Sequence, residues 1–259
     1  MSTNQPNLEP EQISFFKTNG WLVTNPLDEN QTLDLQSWIT EVSKWPDSGS
    51  WLHYREMTEF GPKLCRTEYF TTFHKGLHDL LTSGHMLATA SALLGEEAVL
   101  YKEKINYKLA GGAGYSPHQD APAYRFIDSH ISCMVAVDDA NIGNGCLEVV
   151  SGAHQEILPM DDDGCILAEK VDELKWEFAE LQAGQTLWFH SKTPHRSGDN
   201  LSPVDRRAIY PTYNALSEGD LRERYYAQKI AEFNESKIDG SKVKVSLIND
   251  FRGKPVMND

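Results

Sequence analysis

His118-Gln119-Asp120, answered 75 residues after Asp120 by His195, is the part of this chain whose residue types could do metal chemistry. Two imidazoles and one carboxylate can occupy one face of an Fe(II) ion. The opposite positions then stay open for a chelating co-substrate and dioxygen. The close spacing has a geometric reading. Residues i and i+2 of a β-strand point to the same face, so an extended His-x-Asp would aim both side chains at one point. His195 must be returned to that point by the fold. The same ligands would also serve a Zn-dependent hydrolase, or a metal-binding protein that senses without turnover. Alone, a three-residue pattern decides little in a chain with nine histidines and 38 acidic residues.

The surrounding sequence narrows the choice. Upstream, residues 104–114 (KINYKLAGGAG) read as an alternating strand ending in a glycine-rich turn. Between the ligands stands 144–154 (NGCLEVVSGAH), and after the last one 195–207 (HRSGDNLSPVDRR). With the ligands, these stretches resemble the phytanoyl-CoA dioxygenase family of Fe(II)/2-oxoglutarate oxygenases, from the N-terminal helix to the strand of Arg206. The resemblance implies one domain over 1–259, mainly β with flanking helices, folded as a double-stranded β-helix (a cupin-like jelly roll). A helical part would span 1–95, the β-helix core about 96–215 and a closing helix 216–235. It also implies oxidative decarboxylation of 2-oxoglutarate to succinate and carbon dioxide, coupled to hydroxylation of a substrate C–H bond. Halogenating relatives carry a small residue at the carboxylate position, so Asp120 favours hydroxylation.

By the same resemblance His118, Asp120 and His195 are the iron ligands, and Arg206 anchors the distal carboxylate of 2-oxoglutarate. Arginine suits that task because its planar fork bonds both carboxylate oxygens. Arg207 competes, but strand neighbours face opposite ways, so only one of the two can serve. Ser197 shares a face with His195 and can donate to the same carboxylate. Lys104, Asn106 and Lys108 alternate on one strand face while Ile105, Tyr107 and Leu109 take the other. Polar residues facing inward suit a ligand cavity, so Asn106 and Lys104 are candidate contacts to 2-oxoglutarate or substrate.

For the substrate, residues 118–124 (HQDAPAY) and 213–220 (YNALSEGD) are similar to those of bacterial 2-aminoethylphosphonate dioxygenases, which hydroxylate the carbon next to phosphorus. A phosphonate calls for cations, with Arg66, Lys108, Arg125 and Lys192 as candidates; Glu68 or Tyr124 could receive the amine. The alternative is another compact metabolite, an amino acid derivative or a secondary-metabolite intermediate. No basic cluster for the phosphates of coenzyme A stands out.

Composition agrees with an enzyme acting on a small molecule. The 259 residues carry a net charge of −14, which opposes a nucleic-acid surface. A hydrophobic fraction of 40% and six tryptophans argue against disorder. Cys65, Cys133, Cys146 and Cys165 form no C-x-x-C pair and read as reduced thiols. No secretory signal or membrane-length apolar run is seen, so the cytoplasm is the expected location. The oligomeric state has no signature.

The positioning elements follow from periodicity. A helix is expected over 8–20, a strand at 21–23, a second helix over about 30–44, and a loop over 46–62. Residues 66–70 are a strand or cavity wall, and 77–94 one or two helices, with Gly84 a break and Gly95 a stop. Short strands and turns fill 99–213. A charged helix over 216–233 would carry Glu218 and Asp220 in its first turn. Gly145 and Gly152 mark turns that need backbone conformations closed to other residues. Asp138-Asp139 and Asp161-Asp162-Asp163 lack an EF-hand ligand ladder and read as solvated loops.

Overall fold

The computed structural model describes residues 8–124, 126–239 and 244–256. Helix α1 (Pro10–Asn19) starts with proline in its first turn, and Gly20 ends it at φ 80°. That left-handed conformation costs glycine little. Strand β1 (Trp21–Thr24) follows, then helix α2 (Glu29–Val42), capped by Asp28, whose carboxylate accepts the Gln31 N–H at 2.9 Å. Helix α2 buries Leu35, Ile39 and Val42. The segment expected to be a loop instead forms strand β2 (Leu52–Thr58), paired antiparallel with β3 (Gly61–Glu68). Helices α3 (Lys75–Thr82) and α4 (Gly84–Leu94) meet at Gly84, which opens α4, and Gly95 caps it at φ 82°.

The remaining strands are β4 (Ala98–Lys108), β5 (Tyr115–His118), β6 (His130–Ala136), β7 (Leu147–Val149), β8 (Glu177–Ala179), β9 (Thr186–His190), β10 (His195–Ser197) and β11 (Arg206–Ala215). A short helix α5 (Ala168–Val171) precedes β8, and α6 (Arg222–Asp239) follows β11. Glu218 and Asp220 lie ahead of α6, because a 3₁₀ turn over Leu216–Glu218 ends at Gly219 with φ 104°.

Two antiparallel sheets face each other in a jelly roll, one ordered β1-β9-β6-β11-β4-β3-β2 and the other β5-β10-β7-β8. The larger sheet has two unlike faces. Ile105, Tyr107, Cys133, Val135, Trp188 and Ile209 pack outward in one apolar core with residues of α1 to α4. The inner face brings Met134, Ala136, Leu187, Phe189 and Ala208 against Leu147 and Val149 of the smaller sheet. Polar residues occupy the rest of that inner face, and the functional site lies there. The four cysteines are free thiols. Among the described residues no helix is long and apolar enough to cross a membrane.

Candidate active site

Strand β5 ends at His118 and β10 opens on His195, and the antiparallel pairing sets these two residues directly opposite. Their ring centres lie 4.1 Å apart. The second histidine is thus returned by strand pairing. Asp120 arrives differently from the expected extended His-x-Asp. It stands beyond the end of β5 with helical dihedrals, φ −70° and ψ −31°. Buried Gln119 is the reason. Its Oε1 accepts the Leu158 N–H at 2.8 Å and its Nε2 donates to the carbonyls of Glu156 and Lys192. The Ala121 N–H is held on the Ser191 carbonyl at 2.9 Å, so the chain turns sharply and Asp120 rejoins the histidines.

Nδ1 of His118 meets the Ser116 carbonyl at 2.6 Å, and Nδ1 of His195 meets that of Thr193 at 3.0 Å. Each carbonyl fixes a proton on Nδ1 and leaves Nε2 as the lone-pair nitrogen. Ser132 Oγ donates to Asp120 Oδ2 at 2.9 Å. One ligand atom from each of His118, Asp120 and His195 lies within 4.8 Å of the others, and all three residues are buried. Burial, reinforced by His118, lowers the His195 pKa to about 4, so its imidazole is neutral at physiological pH. Burial alone would raise the Asp120 carboxyl. His195, Lys104, Lys102 and His118 outweigh it and hold the group well below the usual carboxylate range. The lone pairs at Nε2 of His118 and His195 and the ionised Asp120 carboxylate fit a divalent iron ion.

At one end of the site Arg206 and Lys108 sit opposite each other on β11 and β4, both buried. Arg206 Nη2 donates to the Gly145 carbonyl at 2.9 Å, and Lys108 Nζ donates to Ser197 Oγ at 2.9 Å. Among the described residues neither cation has a carboxylate partner. Arg207 faces the other way. It forms a two-pronged pair with Asp138 at 2.8 and 2.7 Å and donates to Thr40 of α2 at 2.8 Å. Arg206 is therefore the inward arginine, and Lys108 stands beside it rather than with a substrate group near His118.

Lys104 and Asn106 line the cavity of the metal ligands together with Tyr124. Asn106 Oδ1 accepts from Arg66 Nε at 3.0 Å. Burial and nearby Arg66 lower the Lys104 pKa to about 8. Arg66 is buried, holding Tyr115 at 2.9 Å and Glu68 at 3.5 Å. Arg125 lies outside the described residues. Lys192 is half-buried and does not line the cavity. Asp161 serves as a turn cap for the N–H groups of Asp163 and Cys165.

Sequence reasoning missed four participants. Lys102, one step earlier in the same alternation, is buried with Nζ 3.9 Å from the Tyr124 ring centre. Ser132 and Tyr115 line the cavity, as does Asp250, contributed by the segment after α6. Period two could have found Lys102. Nothing local to the sequence marks Asp250.

Residues 16–208 match the family model described as Phytanoyl-CoA dioxygenase (PhyH). The chain belongs to the phytanoyl-CoA dioxygenase family. It is 49% identical over 252 residues to a methylphosphonate hydroxylase of Gimesia maris, covering 96% of this chain and 97% of that one. It is 39% identical over 230 residues to a 2-aminoethylphosphonate dioxygenase from Uncultured bacterium HF130_AEPn_1, covering 86% and 88%. The jelly roll matches the crystal structure of EctD from S. alaskensis with 2-oxoglutarate and 5-hydroxyectoine. That match has a TM-score of 0.73 at 20% identity, over 84% of this chain and 80% of that one. This family member is an enzyme, a 2-oxoglutarate-dependent dioxygenase with Fe(II), 2-oxoglutarate and dioxygen as its cofactors.

Proposed function

We propose that the protein hydroxylates a small organophosphonate at the carbon bonded to phosphorus. His118, Asp120 and His195 would hold the iron, and Arg206, with Lys108 and Ser197, would bind the distal carboxylate of 2-oxoglutarate. One observation carries the reading: a buried His-Asp-His cluster shares its cavity with Lys104, in a chain whose two named relatives act on phosphonates. Bound iron, with 2-oxoglutarate and dioxygen, supplies the oxidising power for breaking the C–H bond.

The chain's own residues supply position and exclusion. The Ser116 and Thr193 carbonyls orient the two imidazoles, and Ser132 orients the carboxylate. Leu147 and Phe189 line the cavity with apolar surface, which limits water beside the reacting carbon. Lys104, which lines the cavity, supplies positive charge for the phosphonate, and Asn106 beside it accepts from buried Arg66 at 3.0 Å. Tyr124 closes the side next to Lys102. We place the enzyme in the cytoplasm, in keeping with its free thiols.

2-Aminoethylphosphonate is the first candidate substrate. Methylphosphonate is the second reading, favoured by the 49% identity to a hydroxylase of that compound. The test is succinate release under air with Fe(II) and ascorbate across a panel of phosphonates, with phosphorus NMR on the products. A phosphonate should couple decarboxylation to a new hydroxylated phosphorus species. Coupling only to an amino acid derivative or another phosphorus-free metabolite would overturn the phosphonate reading. No succinate with any substrate, alongside hydrolysis in the presence of zinc, would overturn the oxygenase assignment of the three ligands.

A further inference from the structure

Asp250 reaches the metal cluster from the segment that follows α6, and it is 2% exposed. Its backbone carbonyl accepts the Ser116 N–H of β5 at 2.7 Å. Next to it, Phe251 packs on Tyr115 with ring centres 5.3 Å apart, and Arg252 pairs with Asp199 at 2.9 Å. On its other side Asn249 Nδ2 donates to Asp163 Oδ1 at 2.7 Å. The strap is fastened on both sides of Asp250, so the carboxylate is aimed into the cavity by a fixed backbone.

That carboxylate is poorly satisfied. Oδ2 lies 3.2 Å from His118 Nε2, and buried Oδ1 has no hydrogen-bond partner among the described residues. With its proton on Nδ1, His118 presents a lone pair at Nε2 and has no proton there to offer Asp250. The nearby guanidinium of Arg66 is already committed to Asn106, Tyr115, Glu68 and the Val245 carbonyl. A buried carboxyl oxygen without a donor is unfavourable, and a substrate that brings a cationic N–H group to it relieves the cost.

We infer that Asp250 is a specificity-determining residue that selects a substrate bearing an ammonium group two bonds from the carbon to be hydroxylated. The inference rests on the phosphonate reading and deepens it. In 2-aminoethylphosphonate the amine is two bonds from the carbon attached to phosphorus. A reacting carbon held beside the metal ligands therefore leaves the ammonium within reach of the cavity wall next to His118. Asp250 repels the phosphonate dianion, which turns the phosphorus end toward Lys104 and the amine toward the strap. Glu68 Oε2 is likewise buried without a hydrogen-bond partner among the described residues, but Glu68 is paired with Arg66 through Oε1 and does not line the cavity. Methylphosphonate leaves Asp250 without a partner.

The experiment compares 2-aminoethylphosphonate with propylphosphonate, its neutral isostere. Binding is measured by calorimetry on the full chain loaded anaerobically with Fe(II) and 2-oxoglutarate, and turnover by succinate release in air. The wild-type protein should bind the amine-bearing compound roughly 30–100-fold more tightly, the range expected for a buried charge-assisted hydrogen bond. In Asp250→Asn and Asp250→Ala that preference should fall to about unity, while binding of 2-oxoglutarate reports on folding and on the rest of the site. The strap contacts come from backbone and neighbouring residues, so the alanine variant keeps them. A wild-type preference for the neutral compound, or an unchanged ratio in a variant that still binds 2-oxoglutarate, overturns the role of Asp250 and leaves the phosphonate reading standing. Absence of coupled turnover with every phosphonate removes that reading itself.

Discussion

Arg206 and Lys108 lie side by side, and among the described residues their side-chain partners are backbone carbonyls and Ser197 Oγ, with no carboxylate. Replacing Arg206 by alanine should weaken 2-oxoglutarate binding by roughly 2–5 kcal/mol, the cost of leaving a buried carboxylate without its partner. Iron binding should change far less, and paired titrations of metal and co-substrate separate the two effects. Unchanged 2-oxoglutarate affinity would move the anchor to Lys108 alone. Lys108 also carries a pH signature. Burial, with Arg206 adding to it, lowers its pKa to about 7. The dicarboxylate favours the protonated amine, so above that pH binding must take up a proton. Affinity for 2-oxoglutarate should be level below pH 7 and fall above it, by at most about tenfold per pH unit. Calorimetry in buffers of different ionisation heat would register the proton, and Lys108→Met should abolish the slope. Ser132 donates to Asp120 Oδ2 at 2.9 Å and would act on bound iron through that carboxylate. Ser132→Ala should lower iron affinity about 10–100-fold, the usual effect of removing a partner that orients a ligand. Metal titration at fixed 2-oxoglutarate would show an unchanged constant if the hydroxyl is idle.

Between residue and molecule, the turn after Asn144 has a specific task. Gly145 holds φ 70°, and its carbonyl accepts from both Lys108 and Arg206. A Cβ there would stand 2.5 Å from the Gly198 carbonyl and 2.8 Å from Lys108 Nζ. Gly145→Ala should therefore lower stability by about 1–3 kcal/mol through backbone strain. It should also raise the KM for 2-oxoglutarate, a pairing that thermal melts and initial rates would reveal. This turn was legible in sequence because asparagine followed by glycine has local meaning. The inward Lys104–Asn106–Lys108 face and the helix stop at Gly95 were legible for the same kind of reason. Strand β2 was not. Leu52, Tyr54 and Glu56 alternate into burial, but the Gly, Ser and aromatic content of the segment reads as loop. The turn at Asp120 was hidden too, because Gln119 is tied to Glu156, Leu158 and Lys192, all distant in sequence. Asp250 depends wholly on tertiary placement.

Across the whole molecule, acidic residues outnumber basic ones 38 to 24, while Arg66, Lys102, Lys108 and Arg206 are buried and Lys104 lines the cavity. Phosphonate and 2-oxoglutarate are both anions, so the outer field opposes their approach while the inner charges retain them. Raising salt from about 10 to 150 mM shortens the Debye length from roughly 30 to 8 Å and should speed association of 2-oxoglutarate about two- to threefold. Stopped-flow rates that fall with salt would mean that the cavity charges already govern approach. The strap bearing Asp250 adds a dimension of time. The three candidate metal ligands and Arg206 precede it in the chain, and Asp250 stands 44 positions after Arg206. At about 5–20 residues per second that gap takes the ribosome roughly 2–9 s. During synthesis, the residues that can gather an oxidising metal are therefore made before the one that chooses what is oxidised.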